Sequence, residues 1–156
     1  IEALKHLPED VFLVIAGSGP EREKLGNLAN ECGVAARVQF AGQVPNDQLK
    51  WWYSAADALV LCSSREGWAN VLLEAMACGL PVITTTGCGG AEFIVQGSNG
   101  YVCDALDIPA LQESVNALPA RALGSAEGQR ARERIMTCTS ERLSAQLLSL
   151  YQDLVK

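Results

Sequence analysis

The sequence has a single histidine, His6, and none of its six cysteines (Cys32, Cys62, Cys78, Cys88, Cys103 and Cys138) forms a C-x-x-C pair. That argues against a structural zinc site and leaves no metal ligands to assign. The cysteine spacing does not suggest a disulfide framework either, which points to a reducing cytoplasmic compartment and to thiols packed as small hydrophobes. Basic residues are scarce: 12 Lys and Arg stand against 18 Asp and Glu, for a net charge of −6, and they are scattered along the chain. The clustered positive charge that tracks a phosphate backbone is missing, so nucleic acid is not an expected partner. No apolar run approaches the roughly 20 residues of a membrane span, which leaves peripheral contact as the expected form of any membrane association. The chain shows no signal peptide, internal repeat or low-complexity segment, and its start at Ile1 without a methionine points to a fragment of a longer protein.

What remains is a chain of 156 residues, 49% hydrophobic, with a mean hydropathy of +0.12, enough for one domain with a sizeable core. Short apolar runs at 11–17, 37–42, 57–63, 81–86 and 100–104 read as strands, the first of them buried on both faces and the third buried as well. Between them lie helical signals: Pro20 at a first helical position with Gly33 as the stop, Asn46 as a cap, and Asn70 as a cap with Gly79 as the stop. The segment GGAEFIVQG reads as a further short helix, and Ile108 to Lys156 as two or three helical pieces broken near Pro119, Gly124 and Thr137–Thr139. Strands alternating with helices imply parallel pairing through right-handed crossovers, hence an α/β, doubly wound, mostly parallel sheet with a helical C-terminal segment. In such sheets ligands sit beyond the carboxyl ends of the strands. The loops Gly17–Pro20, Ala41–Asn46 and Ser63–Asn70 are therefore the ones to watch.

Two carboxylates belong to that edge. Glu66 ends the loop after the third strand, and Glu74 falls one turn inside a helix whose other residues, Leu72, Leu73, Ala75, Met76 and Ala77, are apolar, so the sequence predicts a buried helix. A buried carboxylate needs donors. An arginine or lysine, an edge facing water, or adjacent hydroxyls of a ligand such as a ribose diol would each supply them. Between the two acids, Gly67 permits close backbone approach, and the N–H groups of Trp68, Ala69, Asn70 and Val71 lie at a helix start that favours an anion. Gly67 as a plain turn residue and Trp68 as a surface aromatic are equally open on local grounds.

The run Glu66-Gly67-Trp68-Ala69-Asn70-Val71-Leu72-Leu73-Glu74-Ala75-Met76-Ala77-Cys78-Gly79-Leu80-Pro81-Val82 resembles the E-G-x-G/A-x-x-x-L-E-A-M-A-x-G-x-P-V pattern of glycosyltransferase family 4, the retaining enzymes of GT-B fold. VIAGSGPEREKL, VQFAGQV, SAADALVLCSSREG and GSNGYVCD are similar to further family segments and stand in the same order. The resemblance covers residues 8 to 118 well. It implies the C-terminal, Rossmann-like nucleotide-sugar-binding half of such an enzyme, with no cofactor, the nucleotide sugar being a substrate.

On that resemblance Glu74 holds the ribose hydroxyls, Glu66 contacts the transferred hexose and is the candidate catalytic residue, and the amides of Gly67, Trp68, Ala69, Asn70 and Val71 meet the sugar and diphosphate. Gly17, Gly19, Gly42, Gln43 and Val44 border the nucleotide. The family's basic diphosphate-binding residues, their strand and the N-terminal acceptor domain are not in this sequence, so residues 1–156 are expected to be one binding domain, inactive alone. The arrangement Gly87-Cys88-Gly89-Gly90-Ala91-Glu92-Phe93-Ile94 departs from the common G-G-x-x-E and is similar to lipopolysaccharide-core glucosyltransferases. It suggests UDP-glucose as donor and a glycan or lipid-linked acceptor of the bacterial envelope. Other readings are a sugar-nucleotide epimerase or a phosphorylase of the same architecture, and a non-catalytic nucleotide-binding or interaction domain.

Overall fold

The structure is a computed structural model that describes residues 1–118 and 124–138. Five strands, β1 (Leu13–Ala16), β2 (Val38–Gly42), β3 (Leu59–Leu61), β4 (Val82–Thr85) and β5 (Gly100–Cys103), alternate with five helices. These are α1 (Arg22–Glu31), α2 (Asn46–Ala55), α3 (Asn70–Ala77), α4 (Ile108–Asn116) and α5 (Ala126–Met136). Single 3₁₀ turns occupy Glu2–His6, Ala35–Arg37 and Ala91–Phe93. The third replaces the short helix predicted for GGAEFIVQG. Two of the predicted terminal helical pieces are α4 and α5; any piece beyond Thr139 lies outside the described residues.

All strand pairs are parallel, as expected, but they form two sheets, β1-β2 and β3-β4-β5. Among the described residues no ladder joins β1 to β3. This explains where the burial expectation fails: β1 alternates half-buried and exposed residues, with Val14 45% exposed, and β3, an edge strand of its sheet, likewise exposes Val60. Its inward residue Leu13 packs with Leu4, Leu7, Ala29, Val34 and Val38, while the opposite face is uncovered. Only β4, paired on both sides with Leu59↔Val82 and Val82↔Gly100, is buried at every residue.

The larger core lies around α3. Leu72, Ala75 and Met76 are fully buried with Val82, and Tyr53 of α2 and Ala131 of α5 close over them. Each large side chain removed from water there contributes about 1.5–3 kcal/mol. Helix ends follow from backbone chemistry. Both α1 and α3 stop in the same left-handed glycine motif: Gly33 (φ +70°) and Gly79 (φ +79°) donate to Asn30 and Met76, and the next amides, Val34 and Leu80, reach back to Ala29 and Ala75.

The starts differ from expectation. The cap positions are Pro45 and Ala69, so Asn46 and Asn70 are the first helical residues and neither side chain caps. Pro20 precedes α1 by two positions instead of opening it. True side-chain caps occur at Asp107, which accepts from the Ala110 amide, and at Ser125, which accepts from the Gly128 amide.

Candidate functional site

Because β3 and β4 are parallel, the loops that follow them leave the same edge. The two loops are joined backbone to backbone: the Glu66 amide donates to the Gly87 carbonyl (3.0 Å), the Gly89 amide to the Glu66 carbonyl (2.9 Å), and the Ala69 amide to the Gly89 carbonyl (3.1 Å). Such reciprocal pairing needs close approach. A side chain on Gly87 or Gly89 would run into the carbonyl of Ser64 or Gly67, which is the physical reason for glycine at both. Thr84 and Thr85 hydroxyls donate to the Leu61 and Ser63 carbonyls and fix the base of the same loop.

This pairing corrects the expected set of free donors. Ala69 is committed to Gly89, and the Asn70 amide donates to the Trp68 carbonyl (3.2 Å). Among the described residues no acceptor meets the amides of Gly67, Trp68 and Val71. Those three remain available at the start of α3. Trp68 is 54% exposed and stands edge-on to Phe93, with ring centroids 6.0 Å apart.

Glu66 and Glu74 bound this stretch, and both side chains face solvent. The expectation of a buried Glu74 is thus wrong. The apolar face of α3 is Leu72, Ala75 and Met76, and Glu74 falls on the other side of the helix, at the rim. Neither acid is in a salt bridge among the described residues; the pairs there are Lys24–Glu21 and Arg130–Glu127. Among the described residues the one partner of the Glu74 carboxylate is the Tyr53 hydroxyl, which donates to Oε2 at 3.2 Å. Burial of the phenol, and then the neighbouring Glu74 charge, push the Tyr53 pKa up to about 12. Sequence reading missed Tyr53. Its signal was present, because Leu49, Tyr53 and Ala56 recur at helical spacing and all pack on the α3 core.

The remaining expected residues gather along the neighbouring edge. The Gly17 amide donates to the Gly42 carbonyl at 2.7 Å, so the loops after β1 and β2 are tied together. Gly17 (φ +131°) and Gly42 (φ +71°) adopt backbone conformations that suit glycine. A cavity of about 260 Å³ opens beside them, lined by Gly17, Gly19, Pro20, Arg22 and Phe40, with the Arg22 guanidinium 4.9 Å above the Phe40 ring. Arg22 is a cation at this edge that the sequence reading passed over. Gln43 is exposed and Val44 half-buried on the segment that leads into α2. Tyr53 on α2 then connects that segment to Glu74 on α3. His6 is exposed on the first 3₁₀ turn. Among the described residues no group of three His, Cys, Asp or Glu side chains could hold a metal ion, and no helix is long and apolar enough to cross a membrane.

Comparison with known proteins places the chain among glycosyltransferases. The chain is 38% identical over 120 residues to the lipopolysaccharide core biosynthesis glycosyltransferase LpsE of Rhizobium meliloti, covering 77% of this chain and 34% of that one. It is 36% identical over 136 residues to the D-inositol 3-phosphate glycosyltransferase of Xylanimonas cellulosilytica, covering 85% of this chain and 31% of that one. Among solved structures, WaaG, a glycosyltransferase involved in lipopolysaccharide biosynthesis, superposes with a TM-score of 0.75 at 34% identity, over 87% of this chain and 38% of its own. The sucrose-phosphate synthase of Thermosynechococcus elongatus does so with a TM-score of 0.79 at 31% identity, over 98% of this chain and 40% of its own. The chain thus spans about a third of the length of the curated relatives it matches. With residues 1–130 matching the family described as "Glycosyl transferases group 1", and with the parallel β/α architecture of GT-B enzymes, the chain belongs to that glycosyltransferase family.

Proposed function

We propose that residues 1–156 are the donor-binding domain of a retaining, metal-independent hexosyltransferase. The donor is a nucleotide sugar, UDP-glucose first among the candidates, and the acceptor is a lipopolysaccharide or other envelope glycan held by a further domain at the cytoplasmic face of the membrane. The observation that carries this reading is the pair Glu66 and Glu74: two solvent-facing carboxylates with no cation in salt-bridge reach among the described residues, flanking the amides of Gly67, Trp68 and Val71, which meet no acceptor there, at a helix start. Carboxylates accept from hydroxyls, and amides at a helix start donate to anions. A ligand with hydroxyls at both ends and a diphosphate between them has the complementary pattern.

In this reading Glu74 accepts from the ribose diol and Glu66 from hydroxyls of the hexose. The free amides meet the diphosphate, whose negative charge grows as the glycosidic bond breaks, so donors fixed in advance act on the transition state more than on the bound donor. Gly17, Gly19, Gly42, Gln43 and Val44 border the nucleoside. Relatives named for lipopolysaccharide core biosynthesis and for lipopolysaccharide biosynthesis support the acceptor class. The donor is the least constrained part, because a relative from Mycolicibacterium smegmatis, 34% identical over 128 residues, is named as GDP-mannose-dependent. The test is turnover of the full-length protein with UDP-glucose, UDP-galactose and GDP-mannose on a lipopolysaccharide-core acceptor. Transfer from UDP-glucose with the anomeric configuration kept is expected; hydrolysis or transfer with inversion would overturn the reading.

A further inference from the structure

Glu74 is an exposed side chain with no cation to hold it among the described residues, and a glutamate so placed samples several rotamers at similar cost. In this structure one contact limits it. Tyr53 is 8% exposed, its ring is fixed in the cluster of Leu72, Ala75, Met76 and Val82, and only its hydroxyl reaches the rim, where it donates to Glu74 Oε2. The donor is thus anchored in the packed core, and without it the exposed acceptor is free to change rotamer.

We propose that Tyr53 is a positioning residue that sets the carboxylate of Glu74 for a vicinal diol, and so gives the site its preference for ribose over deoxyribose nucleotides. This rests on the donor-site reading above. A carboxylate offers about four acceptor positions. The tyrosine takes one on Oε2, which leaves Oε1 and the rest of Oε2 to accept from two adjacent hydroxyls. A phenol with its pKa raised stays a donor throughout the physiological range, so the arrangement does not vary with pH there. Tyr53 also lies on α2, directly after Gly42, Gln43 and Val44, so the segment bordering the nucleoside and the carboxylate reading its sugar are held in one register.

The test is calorimetric binding of UDP and GDP, each beside its 2′,3′-dideoxy counterpart, to the full-length protein and to Tyr53→Phe, Glu74→Gln and the double variant. Tyr53→Phe keeps the ring and its volume; it should weaken ribonucleotide binding roughly three- to tenfold, about the net worth of one ordinary hydrogen bond because the tyrosine acts on the ligand only through Glu74, and leave dideoxynucleotide binding unchanged. Glu74→Gln should lower the ribonucleotide more, and the double variant should match Glu74→Gln alone. Equal losses for ribo- and dideoxynucleotides in Tyr53→Phe, or an unchanged ratio while Glu74→Gln abolishes it, would overturn the positioning role and leave the donor site intact. A ratio untouched by Glu74→Gln would overturn the donor-site reading itself. Glu74→Asp, which keeps the charge but shortens the reach to Tyr53, is a second variant that should also lose the ratio.

Discussion

The carbonyl oxygen of Gly67 occupies the space where a side chain on Gly89 would begin. With the Glu66–Gly87, Gly89–Glu66 and Ala69–Gly89 hydrogen bonds, this contact makes the Gly87–Gly90 segment the seat of the Glu66 loop. The position of Glu66 is therefore set by residues twenty or so positions along the chain.

Gly89→Ala should push the two loops apart. The expected cost is about 1–3 kcal/mol, the range of overpacking at a tight contact, with a larger fractional loss in donor affinity than in stability. Gly19→Ala is the control: its added carbon meets nothing within 4 Å, and its backbone φ is not positive, so urea midpoints should barely change. Equal losses of stability in the two substitutions would contradict the seating role.

The two carboxylates should separate kinetically. Glu74→Ala should weaken UDP and UDP-sugar binding alike by roughly ten- to a hundredfold, the worth of one or two hydrogen bonds to a charged acceptor. Glu66→Ala should lower turnover more than nucleotide affinity, because its contact is with the group being transferred. UDP affinity unchanged by Glu74→Ala, measured by calorimetry, would exclude the ribose contact.

Tyr53 has a consequence at high pH. Its pKa is about 12 in the folded protein against an ordinary 10.0, so the folded state favours the neutral phenol. The resulting stabilisation is fully present below about pH 10 and is lost as pH rises from there to about 12. Urea midpoints followed across that window should fall more for the wild-type protein than for Tyr53→Phe, and parallel curves would remove Tyr53 from the balance.

A last prediction concerns the smaller core. The Arg37 guanidinium donates to the carbonyls of Leu4, Leu7 and Pro8 and pins the first 3₁₀ turn to the start of β2. Arg37→Leu leaves those carbonyls short of donors and should cost about 1–3 kcal/mol in denaturant unfolding. Lys24→Ala, which removes only an exposed pair with Glu21, should change stability by less than about 1 kcal/mol.

The strand and helix order was legible in the sequence because apolar runs and stop glycines are local signals. Gly33 and Gly79 end α1 and α3 where their left-handed backbone requires. The helix starts were less so, since Asn46 and Asn70 have the right chemistry for caps but Pro45 and Ala69 hold the cap positions. The exposure of Glu74 was misjudged because its apolar neighbours in sequence are spread around α3, and only the side carrying Leu72, Ala75 and Met76 is covered. Local pattern marks Tyr53 only as a core residue of its helix, and the pairings across the fold, Tyr53 with Glu74 and Gly89 with Gly67, leave no mark in it. The uncovered face of β1 likewise depends on which strands pair, which composition does not reveal.

The central claim, a nucleotide-sugar donor site at the Glu66–Glu74 edge, is tested most directly by titrating the full-length protein with UDP, GDP, ADP and UDP-glucose while following backbone amide chemical shifts. The account predicts saturable shifts at Gly67, Trp68, Val71 and Gly42 with one nucleotide, extending towards Glu66 only when the hexose is attached. Saturable binding that moves none of these amides, or no binding of any of the four at millimolar concentration, would contradict it.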